Sequence, residues 1–272
     1  AAGTQAADSV YRNGKIYTVD EEFSIATALA IQGDRLVYVG DEAGVEAYIG
    51  ANTKVVDLGG KTVIPGLIEG HMHINGLGED MLVIDAFWKP KDVILAAVKA
   101  EAEKAQPGEW IQGSGWLNTV WENTDYPTKE DLDAVAPNNP VYLSRADGHM
   151  CWVNSMAFEL AGITKDTPNP QGGEYLKTDS GELLGCVTDT AMYPISGLIP
   201  DFTIQQKKDA LLMAQEQLFS YGLTSAMNAG TSVEYLNEVY RPLYESGQLK
   251  LRSYLLMSLS STEGEQADSL RT

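Results

Sequence analysis

Residues 62 to 73 read TVIPGLIEGHMH, an apolar run broken once by Pro-Gly and closed by two histidines one residue apart. Val63, Ile64, Leu67 and Ile68 form the near-continuous apolar pattern of a strand covered on both faces, as in parallel sheets. Side chains two apart in a strand share a face, so His71 and His73 aim into one space and Met72 away from it. Gly70, Asn75, Gly76 and Gly78 then predict a loop. Two neutral imidazoles at the carboxyl end of a strand are ready ligands for a borderline ion such as zinc. A pair of hydrogen-bonded structural histidines fits the same spacing, and residue types alone leave both readings open.

The surrounding chain reads as two regions. Residues 9 to 58 carry short β-prone runs punctuated by turns. Asn13-Gly14 predicts one hairpin and Gly33-Asp34 a second. From about residue 90 helices and strands alternate, which implies parallel βαβ units. KPKDVILAAVKAEAEKA is helical, and Thr128 with Asp131 and Thr203 with Gln206 form capping-box starts. CWVNSMAFELAG reads as a helix, QGGEYLKTDSGELLGCVTDT as a hairpin, and LTSAMNAG and KLRSYLLMSL as strands. About five strands are expected, beginning with the histidine strand. An eight-stranded barrel needs ~250 residues for itself, so the expectation is an α/β chain that builds about five of eight strands.

Charge narrows the partners. Thirty-eight acidic residues against 19 basic ones give a formal charge of −19. Such a surface repels phosphate backbones and anionic headgroups, so nucleic acid and membrane surfaces are poor partners. No apolar stretch approaches the ~20 residues that cross a bilayer. The two cysteines, Cys151 and Cys186, are too few for a disulfide framework, and spacing does not say whether they pair. The first residues, AAGTQAADS, are small and polar. They fit an end left by signal cleavage or a trimmed chain, a slight lean toward export.

VIPGLIEGHMH resembles the first-strand signature of the amidohydrolase superfamily. GEWIQGSGWLNTVWENTDYPTKEDLDAV, PVYLSRADGHMCWVNSMAFELAGI, SGELLGCVTDTAM and YGLTSAMNAGT resemble its amidohydrolase-3 branch, which includes N-substituted formamide deformylase-like proteins. The resemblance implies a metal-holding TIM-like (β/α) barrel accompanied by a β-sandwich built from both chain ends. Residues 1–61 then supply the N-terminal part of the sandwich and 62–272 the N-terminal portion of the barrel. His71 and His73 correspond to the first two ligands of one or two divalent ions, zinc foremost. The family's later ligands, two histidines and an aspartate, have no counterpart here, because the third and last histidine, His149, belongs to the separate DGH motif. A second polypeptide completing the barrel, or self-association, is therefore expected.

Several residues remain as candidates for chemistry. His149 is placed to orient or polarise a substrate carbonyl or to serve as a third imidazole ligand; the alternative is a loop organiser bonded to Asp147 or backbone. Asp189 lies where this branch often carries an acidic residue, so it is a candidate metal ligand, or else a cap or turn residue. Trp116 and Trp121 wall a substrate pocket or simply pack. Glu69 braces the strand or a histidine's second nitrogen. The activity implied is metal-dependent hydrolysis of a non-peptide C–N bond in a small amide or N-acyl substrate by a metal-activated water. The rival is a non-catalytic or regulatory barrel half that keeps a vestigial metal strand. A third reading is a ligand-binding module built on Trp110, Trp116, Trp121 and Trp152.

Overall fold

A computed structural model describes residues 6–258. The chain falls into two compact units. One takes in the chain through Ile68 together with Gly222–Thr224, and the other Glu69–Tyr221 and the chain from Ser225.

The first unit is built from two small sheets. Arg35–Gly40, Ala28–Gln32, Ser9–Arg12 and Lys54–Asp57 lie side by side in that order, and Ile25–Ala26, Lys15–Tyr17 and Thr62–Val63 make the second sheet. The Gly33-Asp34 hairpin forms, with Gln32 opposite Arg35. The Asn13-Gly14 hairpin does not. Ser9–Arg12 and Lys15–Tyr17 sit in different sheets, so this dipeptide is a corner. Asn13 takes φ 55° there, its N–H donates to Glu42 at 2.6 Å and its amide to Asp57 at 2.8 Å. Local turn chemistry was met, but these non-local partners chose which strands pair. Val10, Ala28, Ala30 and Val45 form one small core, and Ile16, Ala26 and Leu29 another.

The second unit is an α/β structure with two sheets. The histidine strand, Leu67–Met72, lies beside Leu223–Thr231, whose other neighbour is Arg252–Met257; these last two are parallel. A separate six-stranded sheet runs Gly173–Lys177, Leu183–Asp189, Met150–Val153, Val141–Arg145, Ile111–Trp116, Ile84–Asp85. Its last three strands are parallel and its first three antiparallel. All five strands expected from the histidine strand onward form, but they divide between the three-stranded sheet and the mixed six-stranded sheet. The reason lies after Arg145. The chain reverses through Gly148 (φ 73°) and pairs back antiparallel, without a crossover helix. Met150–Val153 is consequently a strand, and the helix expected from Cys151 begins only at Ser155, capped by Asn154.

Both capping boxes form, Thr128 with Asp131 and Thr203 with Gln206. The 171–190 hairpin is present. Cys151 and Cys186 are free and buried on neighbouring strands, but they pack into two different core clusters and so face opposite sides of the sheet. Burial raises both thiols, that of Cys186 up to about 12, which keeps them protonated and inert.

Two expectations about the histidine segment need correction. The strand is not covered on both faces among the described residues: Leu67 is 48% and Ile68 75% exposed. After it comes a helix, Ile74–Asp80, where glycines and asparagine predicted a loop. Gly78 is buried at its crossing with the helix Ile204–Ser220, and a Cβ there would lie 2.4 Å from the Ala210 carbonyl oxygen. Glycine serves close helix approach here, not chain reversal. Gly78→Ala is expected to cost about 1–3 kcal/mol by overpacking against backbone that cannot yield, read as a lower denaturation midpoint.

Candidate functional site

His71 is the second-last residue of the histidine strand Leu67–Met72, and His73 follows the strand as the N-cap residue of the helix Ile74–Asp80. Both are exposed, and their ring centroids lie 5.8 Å apart at 86°. A zinc–nitrogen bond of ~2.0–2.1 Å puts a ring centroid about 3 Å from the ion, so two imidazoles sharing one tetrahedral ion have centroids roughly 5–6 Å apart. The observed separation meets that requirement. His73 Nδ1 is 3.0 Å from the Ala229 carbonyl oxygen. A carbonyl only accepts, so Nδ1 carries the proton and Nε2 keeps its lone pair for a ligand. Glu69 braces the strand: its carboxylate accepts the His71 backbone N–H at 3.0 Å.

One residue that organises this corner escaped the sequence reading. Asn228, on the neighbouring strand, is fully buried. Its Oδ1 accepts the Ile74 N–H at 2.6 Å and the Asn75 N–H at 3.4 Å, and its Nδ2 donates to Thr231 Oγ1 at 2.6 Å. His73 offers the helix no side-chain cap, so Asn228 supplies one from outside. The available signal was a polar residue inside the apolar run LTSAMNAG. Tyr240 adds a bond to the Asn75 side chain at 2.8 Å.

The pair supplies two donors, whereas a catalytic zinc takes three protein ligands and a water. Among the described residues no group of three or more His, Cys, Asp or Glu is placed to hold a metal ion. Asp189 and His149, named above as possible further ligands, are joined to each other. His149 Nδ1 and Asp189 Oδ1 are 2.8 Å apart, and this bond and charge raise the imidazole's pKa above its ordinary value. Asp147 accepts the His149 backbone N–H at 3.0 Å and pairs with Arg145. His149 lies in the turn between Val141–Arg145 and Met150–Val153, and Asp189 ends Leu183–Asp189, which pairs with Met150–Val153 inside the six-stranded sheet.

Trp116 is fully buried, as is Trp152, and Trp121 nearly so. Trp116 stacks on Trp121 at 5.9 Å and meets Trp152 edge-on at 6.2 Å. All three indole N–H groups donate to backbone carbonyls, of Leu143, Lys89 and Thr128. In this structure the three indoles pack against one another in the core. A cavity of about 700 Å³ runs along Arg252–Met257 between Tyr240, Tyr244, Leu251 and Leu255, and none of the three histidines lines it.

The amidohydrolase family pattern matches residues 54–266. The chain belongs to the amidohydrolase family. It is 32% identical over 257 residues to the putative amidohydrolase YtcJ of Bacillus subtilis, an alignment covering 92% of this chain and 48% of that protein. It is 34% identical over 191 residues to the N-substituted formamide deformylase of Arthrobacter pascens, covering 69% and 35%. An uncharacterized metal-dependent hydrolase from Pyrococcus furiosus superposes with a TM-score of 0.67 at 26% identity, covering 96% of this chain and 52% of its own. This amidohydrolase chain thus spans half or less of the length of these curated relatives. It is a metal-dependent-hydrolase-like protein in general.

Proposed function

We propose that this chain is a barrel portion that keeps the metal strand and is non-catalytic by itself. The observation that carries this reading is the histidine pair, its ring centroids 5.8 Å apart, with no third donor grouped beside it among the described residues. The residues present fit half a donor set, so no catalytic step is assigned to them alone. Zinc-dependent hydrolysis of a non-peptide C–N bond in a small amide or N-acyl substrate is then a property of an assembly that adds ligands. The name of the formamide deformylase supports that substrate class. On this reading residues 1–61 contribute to a β-sandwich and 62–272 to the barrel, completed by further polypeptide or by self-association. The exposed apolar side chains Ile64, Leu67 and Ile68 support the need for cover.

Titration with cobalt(II), a spectroscopic stand-in for zinc, tests the reading. One weakly held ion per chain is expected, with visible absorption lost in the His71→Ala/His73→Ala double variant, and no turnover of N-substituted formamides by the chain alone. Turnover by the chain alone, or binding that survives the double variant, defeats it.

A further inference from the structure

The most developed side-chain arrangement outside the histidine pair is His149 with Asp189. The two are forty residues apart in sequence, joined ring to carboxylate at 2.8 Å, and tied again by the Asp189 N–H donating to the His149 carbonyl at 3.0 Å. A chance surface ion pair carries no backbone cost. This one does: Asp189 sits at φ 45°, ψ −121°, a region that glycine enters freely and other residues occupy only under strain. The corner is made possible by a different residue. Gly173, opposite Asp189 in the hairpin, is so close to the turn that a Cβ would lie 2.3 Å from the Ala191 nitrogen and 2.6 Å from the Thr188 carbonyl oxygen. The chain thus spends its glycine on the neighbour and keeps a carboxylate at the strained position.

The backbone of His149 is held as well. Asp147 holds the His149 backbone N–H and pairs with Arg145, whose guanidinium lies 5.7 Å over the Trp116 ring in the core. The His149 side chain is nevertheless 77% exposed, and Asp189 is its ring's one hydrogen-bond partner among the described residues.

We infer that Asp189 is a positioning residue that fixes the orientation and tautomer of His149. A carboxylate accepts, so the neutral ring keeps its proton on Nδ1 and presents Nε2, beside the strand ends, as an acceptor for an O–H or N–H group of a small polar ligand. This changes the role open to His149. A neutral ring held in this way accepts a proton instead of donating one to a carbonyl. The inference does not depend on an ion at His71 and His73, and it gives Asp189 work other than metal ligation.

Nitrogen NMR of the imidazoles tests it. There are three histidines, so single-histidine variants assign each signal. Under alkaline conditions, where the rings are neutral, wild-type His149 is expected to show the proton on Nδ1, against the Nε2–H form that free histidine prefers. Asp189→Gly removes the carboxylate while relieving the backbone, so the fold is retained and His149 should revert to Nε2–H. Asp189→Glu, which keeps a carboxylate within reach, should recover part of the Nδ1–H population. His149 already in the Nε2–H form in the wild type, or a tautomer unmoved by Asp189→Gly, overturns the inference. The wild-type measurement decides even if a variant folds poorly.

Discussion

Trp116→Ala is expected to cost about 3–5 kcal/mol, the range for removing a large aromatic from a packed core. Trp116 is fully buried, stacks on Trp121, and meets Trp152 edge-on. Truncation therefore opens a cavity at the meeting point of three indoles, in a place where neighbours cannot readily collapse. It also deletes the N–H that donates to the Leu143 carbonyl at 2.8 Å and the ring under the Arg145 guanidinium. Domains are stable by only ~5–15 kcal/mol, so the loss is a large fraction of the total. Trp88→Ala is the control. Trp88 is 73% exposed, and a surface change of this kind is expected to stay within about 0.5 kcal/mol. Urea denaturation followed by far-UV circular dichroism separates the two. Equal midpoints for Trp116→Ala and Trp88→Ala would show that Trp116 has slack around it, and would reopen its role as a pocket wall.

What the sequence disclosed follows from how far each signal reaches. Thr128 with Asp131 and Thr203 with Gln206 are contacts three residues apart, so the caps were legible and are present. His71 and His73 lie two apart and their rings are neighbours, although His73 is already past the strand's end, at the start of the next helix. The Asn13-Gly14 corner was misread because the choice between hairpin and corner lies with Glu42 and Asp57, about thirty and forty-four positions away. Gly78 was misread for the same reason, since its meaning comes from Ala210. The division into two sheets turns on what Met150–Val153 does. Strongly apolar MCWV has no period of its own to separate a buried strand from the first turn of a helix. The pairing of His149 with Asp189 joins residues on two separate strand ends, and no local pattern announces it.

Asn228→Leu should combine a large stability loss with a functional one. Leucine nearly fills the same volume, so packing is kept while every polar contact is lost. The N–H groups of Ile74, which is fully buried, and of Asn75 lose their shared acceptor, and buried Thr231 loses a donor. Each buried group left unpaired costs about 1–3 kcal/mol, so a total of roughly 2–5 kcal/mol is expected. Asn228→Asp keeps an acceptor at the helix N-terminus, where negative charge is favoured, and should cost less. The same change loosens the start of the helix that carries His73, and Ala229, the next residue on the strand, holds the His73 ring. Partners that orient a metal-binding histidine are worth about 10–100-fold in affinity. Cobalt(II) should therefore bind Asn228→Leu at least tenfold more weakly than wild type, at temperatures where both remain folded. Unchanged affinity in a folded Asn228→Leu would show that the strand alone, without the cap, aims the two imidazoles.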